Sequence, residues 1–193
     1  MARVEPERHT LSDGTPVTIR TADTRDAAET LGLFRSVLEE GRYTVQTPSE
    51  VKITEEEERG FIQADRDDPG GLCLVAEAGG TVVGTVRAEA EPYRCTRHFA
   101  DVQALWVHAS WRRRGVAGHL LAALIAWARA HPEIEKLGLY VFSTNEAAIR
   151  LYQEHGFVIE GRYPRDMKFE DGSYADTVAM GLLVKPRPAQ APA

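Results

Sequence analysis

Trp111-Arg112-Arg113-Arg114-Gly115-Val116-Ala117-Gly118-His119-Leu120-Leu121 decides how the rest of the chain is read. Upstream, Ala100-Asp101-Val102-Gln103-Ala104-Leu105-Trp106-Val107-His108 is apolar enough for a buried strand. Downstream, Val116, Leu120, Leu121, Leu124 and Trp127 recur at helical spacing. The stretch is therefore a strand, a basic glycine-containing loop and a helix start. A helix start exposes unpaired N–H groups and carries positive potential, so it attracts anions such as phosphate. Three arginines add charge, and Gly115, Ala117 and Gly118 keep side chains out of a ligand's way. A solvated basic turn is the plain alternative. The flanking strand and helix favour a phosphate cradle for a nucleotide-like ligand.

The totals narrow the choice. With 193 residues, the chain has ample length for one hydrophobic core. It is 43% hydrophobic and 27% charged, ordinary for a soluble globular protein. A net charge of −6 argues against nucleic acid as partner, because such binding is driven by phosphate neutralisation. The arginine cluster is a local exception on an acidic chain, which favours a small anionic ligand. Cys73 and Cys95 form no disulfide framework and match no zinc spacing, so free thiols in a reducing, cytoplasmic setting are expected. No signal-peptide core or membrane-spanning run is present in the sequence.

In chain order, residues 1–15 read as a polar, loosely held extension. Residues 16–184 read as one domain, and 185–193 as a disordered Pro/Ala-rich tail. Pro16–Arg20 alternates as a first strand. Asp23 or Thr24 caps a helix whose stripe includes Ala27, Leu31, Phe34 and Leu38, and residues 41–48 form a loop. Thr54–Glu57 is a capping box opening a second helix through Ala64, its Glu55–Glu58 run a solvated helix start rather than a metal site. Leu72–Glu77 and Thr81–Glu89 form a hairpin, and 91–99 is irregular. The motif helix runs from about Gly115 to Arg129. Lys136–Phe142 is a strand parallel to 100–108, because a helix joins them. A helix capped within Ser143–Asn145 ends at His155-Gly156, and Asp171-Gly172 turns a last hairpin of Phe157–Lys168 and Tyr174–Val184.

This order, with two motifs, resembles the GNAT N-acetyltransferase superfamily. The first motif is that family's acetyl-CoA signature, Arg/Gln-x-x-Gly-x-Gly/Ala, present as Arg112-Arg113-Arg114-Gly115-Val116-Ala117. The second is Asn-x-x-Ala-x-x-x-Tyr…Gly-Phe, present as Asn145, Ala148, Tyr152, Gly156 and Phe157. The resemblance is strongest over 72–184. It implies an α/β (α+β) fold: a mixed, mostly antiparallel central sheet of about six to seven strands flanked by about four helices, with a splayed parallel strand pair holding CoA. It implies acetyl-CoA as cosubstrate and no metal. Arg112, Arg113, Arg114, Gly115, Val116, Ala117 and Gly118 would cradle the pyrophosphate, and Leu105, Trp106 and Val107 would pair with the pantetheine amides. Asn145, otherwise a simple N-cap, would reach the same arm. Tyr152 would be the general acid, the alternative being core packing beside Ala148 and Leu151.

The chemistry agrees. A lysine-like amine is only on the order of one part in a few thousand neutral at pH 7, so acetyl transfer needs a base or selection of the free amine. The departing thiolate needs a proton donor, and the resemblance implies that a backbone N–H near Val107 would hold the oxyanion. Many relatives carry a Glu on the strand before the loop; here that strand offers Asp101 and Gln103. Asp101, Glu89 and His98 are the base candidates, while His108 and His119 are packing or phosphate neighbours. By the same resemblance Tyr43 and Tyr174 would line the acceptor slot, the equal alternative being plain surface aromatics. The expected activity is acetyl transfer from acetyl-CoA to a primary amine of a small molecule, an amino acid or a protein N-terminus. The alternative is a non-catalytic acetyl-CoA-binding sensor. Expected partners are the amine acceptor, without nucleic acid or membrane, and with a homodimer left open.

Overall fold

The computed structural model describes residues 3–186. Eight strands and four helices follow one another as β1 (Glu7–Thr10), β2 (Pro16–Thr21), α1 (Ala27–Glu39), α2 (Glu55–Asp67), β3 (Gly71–Ala78), β4 (Thr81–Ala90), β5 (Phe99–Val107), α3 (Val116–Ala130), β6 (Lys136–Phe142), α4 (Glu146–Glu154), β7 (Val158–Lys168) and β8 (Tyr174–Leu183). The strands form one sheet in the order β1-β2-β3-β4-β5-β6-β8-β7. Every neighbouring pair is antiparallel except β5 and β6, which the α3 crossover makes parallel.

The expected caps form. Thr54 and Glu57 close a capping box on α2, and Asp23 with Asp26 closes another on the 3-10 turn that leads into α1. Asn145, rather than Ser143, caps α4, its side chain accepting from the Ala148 N–H at 3.2 Å. Gly172, at φ 82°, turns the last hairpin.

Helices cover both faces. On one, α3 packs Val116, Leu120, Leu121, Leu124 and Trp127 onto Ile19, Leu74, Val86, Val102 and Leu139, and Tyr152 of α4 joins this cluster. On the other, α1 and α2 lie over β3, β4 and β5, with Ala27 and Ile62 against Cys73, Val75 and Val82. That second face is bare over β6, β8 and β7, where Tyr140, Tyr163, Val158 and Leu183 are exposed.

One expectation is corrected. The first residues are not loose throughout, because Glu7–Thr10 pairs antiparallel with β2 and brings the strand count to eight. Its sequence, Glu-Arg-His-Thr, has no apolar alternation. Backbone pairing and the buried Leu11 hold it instead, so hydrophobic periodicity could not reveal it. The Pro/Ala-rich tail lies, from residue 187 on, outside the described residues.

Candidate active site

The site is a gap in the sheet. β5 and β6 pair over only three positions, from Phe99↔Lys136 to Asp101↔Gly138. Beyond them β6 pairs with β8 and β5 with β4, so the two parallel strands diverge. A bulge in β5 shapes the gap: Thr85 faces Trp106 and Arg87 faces Gln103, leaving β5 one residue longer than its partner. Ala104 carries the left-handed backbone conformation at φ 52°. The extra residue reverses the side-chain alternation. Val102 is buried on the α3 side, and Leu105 and Val107 also pack there. Trp106 is turned to the opposite face, where it stacks on Phe34 of α1 at 4.4 Å and 7°.

Backbone groups line the gap. The His108 N–H donates to Val83 O at 3.0 Å, so alternation points the N–H and C=O of Val107 away from β4. Arg112 Nε occupies that carbonyl at 2.9 Å. The Val107 N–H is likewise directed away from β4, into the gap.

At the mouth of the gap sits the start of α3. Its N-cap is Gly115 at φ 100°, and no side chain caps it, so the first-turn N–H groups of Val116, Ala117 and Gly118 face outward. The three arginines differ in role. Arg112 clamps Glu40 through both terminal nitrogens, at 2.6 and 2.5 Å, holding that carboxyl below its usual range and tying the loop to the end of α1. Arg114 pairs with Asp13 at 2.8 Å, lies over the Trp111 ring, and accepts from the Ser12 N–H at its carbonyl. Arg113 is exposed, with φ 59°. His119 stacks on His9 of β1 at 4.3 Å, and burial, with the charge of His9, holds its ring below the usual histidine range. His108 caps the turn at Ala109–Trp111.

Acid and base candidates lie on opposite faces. Tyr152 is 9% exposed in the α3–α4 cluster, its ring 5.7 Å from that of Phe157. Burial pushes its phenol up to about 12. On the α1–α2 face, Asp101 stands directly across from Glu89, at the last position where β5 and β6 pair. Burial pushes the Asp101 carboxyl up, a 2.8 Å bond from Gln103 opposes this, and Glu91 and Glu89 add repulsion. His98 is exposed and precedes the first paired position, so it stands at the closed end, away from the gap. Tyr43 is exposed in the α1–α2 loop, and Tyr174 lies in the last hairpin beneath Arg165, at 4.2 Å. The structure thus groups Asp101, Glu89 and the strand backbone, and leaves His98 before the first paired position of β5 and β6. Among the described residues, no group of three or more His, Cys, Asp or Glu is placed to hold a metal.

Comparison with known proteins gives this geometry its context. Residues 38–157 match the model of the Acetyltransferase (GNAT) family, which spans the gap, the α3 start and α4. The chain belongs to the GNAT acetyltransferase family. It is 32% identical, over 61% of its length and 71% of the relative's, to the L-amino acid N-acetyltransferase AaaT of Escherichia coli. The crystal structure of a GNAT-family acetyltransferase from Streptococcus pneumoniae superposes with a TM-score of 0.82 at 32% identity, covering 86% of this chain and 99% of that one. The Salmonella typhimurium protein yncA, solved with its cofactor acetyl-CoA, shares the fold at a TM-score of 0.80 and 23% identity, covering 91% and 98%.

Several residues of this GNAT site escaped the sequence. The bulge at Ala104 does have a signal: the apolar β5 positions that pack towards α3 step by two, from Ala100 to Val102, then by three to Leu105, then by two to Val107. Tyr140 also has one, since it alternates with Leu139 and Val141 and so shares the face of Gly138, the partner of Asp101. Glu40 has none, because nothing local links it to an arginine 72 residues away.

Proposed function

We propose that this protein moves the acetyl group of acetyl-CoA onto a primary amine by direct attack in a ternary complex. One observation carries the proposal: a buried phenol and a raised carboxyl sit on opposite faces of a sheet that is open only between β5 and β6. Both sides of the reaction meet through that opening.

The residues fit the cosubstrate. The first-turn N–H groups of α3 and the exposed Arg113 suit the pyrophosphate, and Gly115 and Gly118 keep the approach open, since a Cβ on Gly115 would meet only the His119 ring, at 3.8 Å. Arg114 helps fix the loop through Asp13, and Arg112 shapes it through Glu40 and Val107. The edge of β5 from Leu105 to Val107 suits the pantetheine amides as an added strand. Asn145 is committed to capping α4 through its side-chain oxygen, leaving its amide N–H groups for the same arm.

Asp101 takes the proton from the incoming ammonium, directly or through water, and its raised carboxyl makes it a better base than an ordinary aspartate. Glu89 supports it from across the strand pair, and His98 is too far towards the closed end to act at the thioester. The amine nitrogen then bonds to the acetyl carbon while the Val107 N–H holds the carbonyl oxygen. The C–S bond breaks and Tyr152 donates its hydrogen to the departing sulfur; the nitrogen's second proton restores the phenol and Asp101 passes the first to water, so one proton in all is released. A phenol this weakly acidic acts first as a hydrogen-bond donor and completes the transfer only once the C–S bond is broken.

A coupled assay for CoA release over an amine panel, with acetylated product read by mass, tests the proposal. Equal CoA and acetyl-amine are expected. Tight acetyl-CoA binding without turnover on any amine would establish the sensor instead. We also place the protein in a reducing compartment, consistent with Cys73 and Cys95 standing as free thiols.

A further inference from the structure

The bare face beside the gap is not featureless. A cavity of about 220 Å³ lies there, lined by Phe99, Gly138, Tyr140, Tyr163 and the Lys136–Glu160 pair among others. Its floor is flat for a covalent reason: Gly138 has no side chain, and a Cβ there would overlap the Phe99 ring that lies against it. Tyr140 and Tyr163 form the wall, their rings 6.2 Å apart and tilted at 51°. Both are exposed, at 64% and 49%, which is unusual for large rings and leaves their faces free. The slot adjoins the chemistry, because Tyr140 is two residues beyond Gly138, the strand partner of Asp101, on the same face.

Charge complements the aromatic surface. Asp101 lies beside the slot, close enough for its charge to act on Tyr140, with Glu89 across from it on β4 and the charge of Glu91, just past β4, also reaching it. Lys136 is the one cation lining the cavity among the described residues, and Glu160 holds it at 2.7 Å. Arg87 is held by Asp65, and Arg162 by Asp176. The place beside Asp101 therefore welcomes a positive charge and offers a carboxylate no counter-ion.

We infer that the acceptor is a cationic primary amine on a flat apolar body, with no carboxylate beside the nitrogen, and that the Tyr140–Tyr163 slot holds that body. This rests on the acetyl-transfer reading above and names its substrate class. The ammonium stands between aromatic faces and Asp101, loses its proton there, and bonds through nitrogen to the acetyl carbon as CoA leaves as the thiol. An α-amino acid meets Asp101 and Glu89 with its own carboxylate and is rejected.

The test uses the full chain, acetyl-CoA and three acceptors: phenethylamine, n-butylamine and phenylalanine. Phenethylamine is expected to show a kcat/KM about tenfold or more above each of the others, as a stacked, desolvated cation warrants. Tyr140→Ala and Tyr163→Ala, at exposed positions, should each shrink that preference several-fold. A preference for phenylalanine, or one that survives both substitutions, overturns the inference. Calorimetric binding of phenethylamine to wild type and Tyr140→Ala decides the slot even if no amine is acetylated, an outcome that would defeat the transferase reading instead. Binding unaffected by Tyr140→Ala, or no binding, overturns the slot.

Discussion

In the proposed mechanism Tyr152 would owe its acid role to where α4 carries it. Burial keeps the phenol protonated across the whole range in which an amine becomes neutral, since its value stands at about 12. Tyr152→Phe should therefore lower kcat by about 10²-fold or more, the typical worth of a positioned acid, with acetyl-CoA affinity near wild type. Titration calorimetry beside steady-state kinetics checks both halves, and an unchanged kcat removes the residue from the mechanism. Asp101 behaves differently. Asp101→Asn should reduce kcat about 10²-fold at pH 7 and recover as pH rises, because free amine then replaces the missing base. A pH profile over both enzymes measures the recovery. The raised Asp101 carboxyl also places the wild-type acid limb above the ordinary carboxylate value rather than at it.

The bulge in β5 does for the element what no single side chain does. Ala104 holds φ 52°, a region that costs a non-glycine residue about 1–2 kcal/mol. Ala104→Val should destabilise by at least that amount, a fall of several degrees in Tm, whereas Ala104→Gly should be tolerated. Deleting the residue is a different experiment. It would carry Leu105 and Val107 to the α1 face and Trp106 into the α3 core, and should abolish both activity and cooperative unfolding.

Legibility follows the same division. The cap at Asn145, the Asp171-Gly172 turn and the Arg112–Ala117 loop are local, and each was readable because neighbouring residues alone decide it. The splay of β5 from β6 was readable only through resemblance, since divergence of two strands leaves no local pattern. β1 was invisible because its four residues are polar and its stability comes from backbone bonds to β2. The slot by Tyr140 and Tyr163 joins β6 to β7, and no periodicity within either strand states that they meet.

Across the whole molecule, two links join separate layers. The Glu40–Arg112 clamp fastens the end of α1, where the loop of residues 41–48 begins, to the arginine loop that opens α3. Both side chains are a third exposed, so the pair contributes well under 1 kcal/mol to folding. Glu40→Ala should accordingly leave Tm within a degree or two while raising KM for acetyl-CoA and acceptor together, which two-substrate kinetics resolves. The second link is the seam between α2 and the sheet, where Cys73 is buried and its thiol is pushed up to about 12. Iodoacetamide should label exposed Cys95 in the native protein and reach Cys73 only on opening of that seam, so labelling rates against denaturant report α2 separately.

With Tyr152 behind the sheet and Asp101 before it, the sheet works as a partition with one window. In the mechanism proposed above, each substrate would have its own chamber, and so would each product. CoA should compete with acetyl-CoA but not with the amine, and the acetylated amine should compete with the amine but not with acetyl-CoA. A dead-end analogue filling one chamber would leave the other free to load, which equilibrium binding of the second partner would register directly.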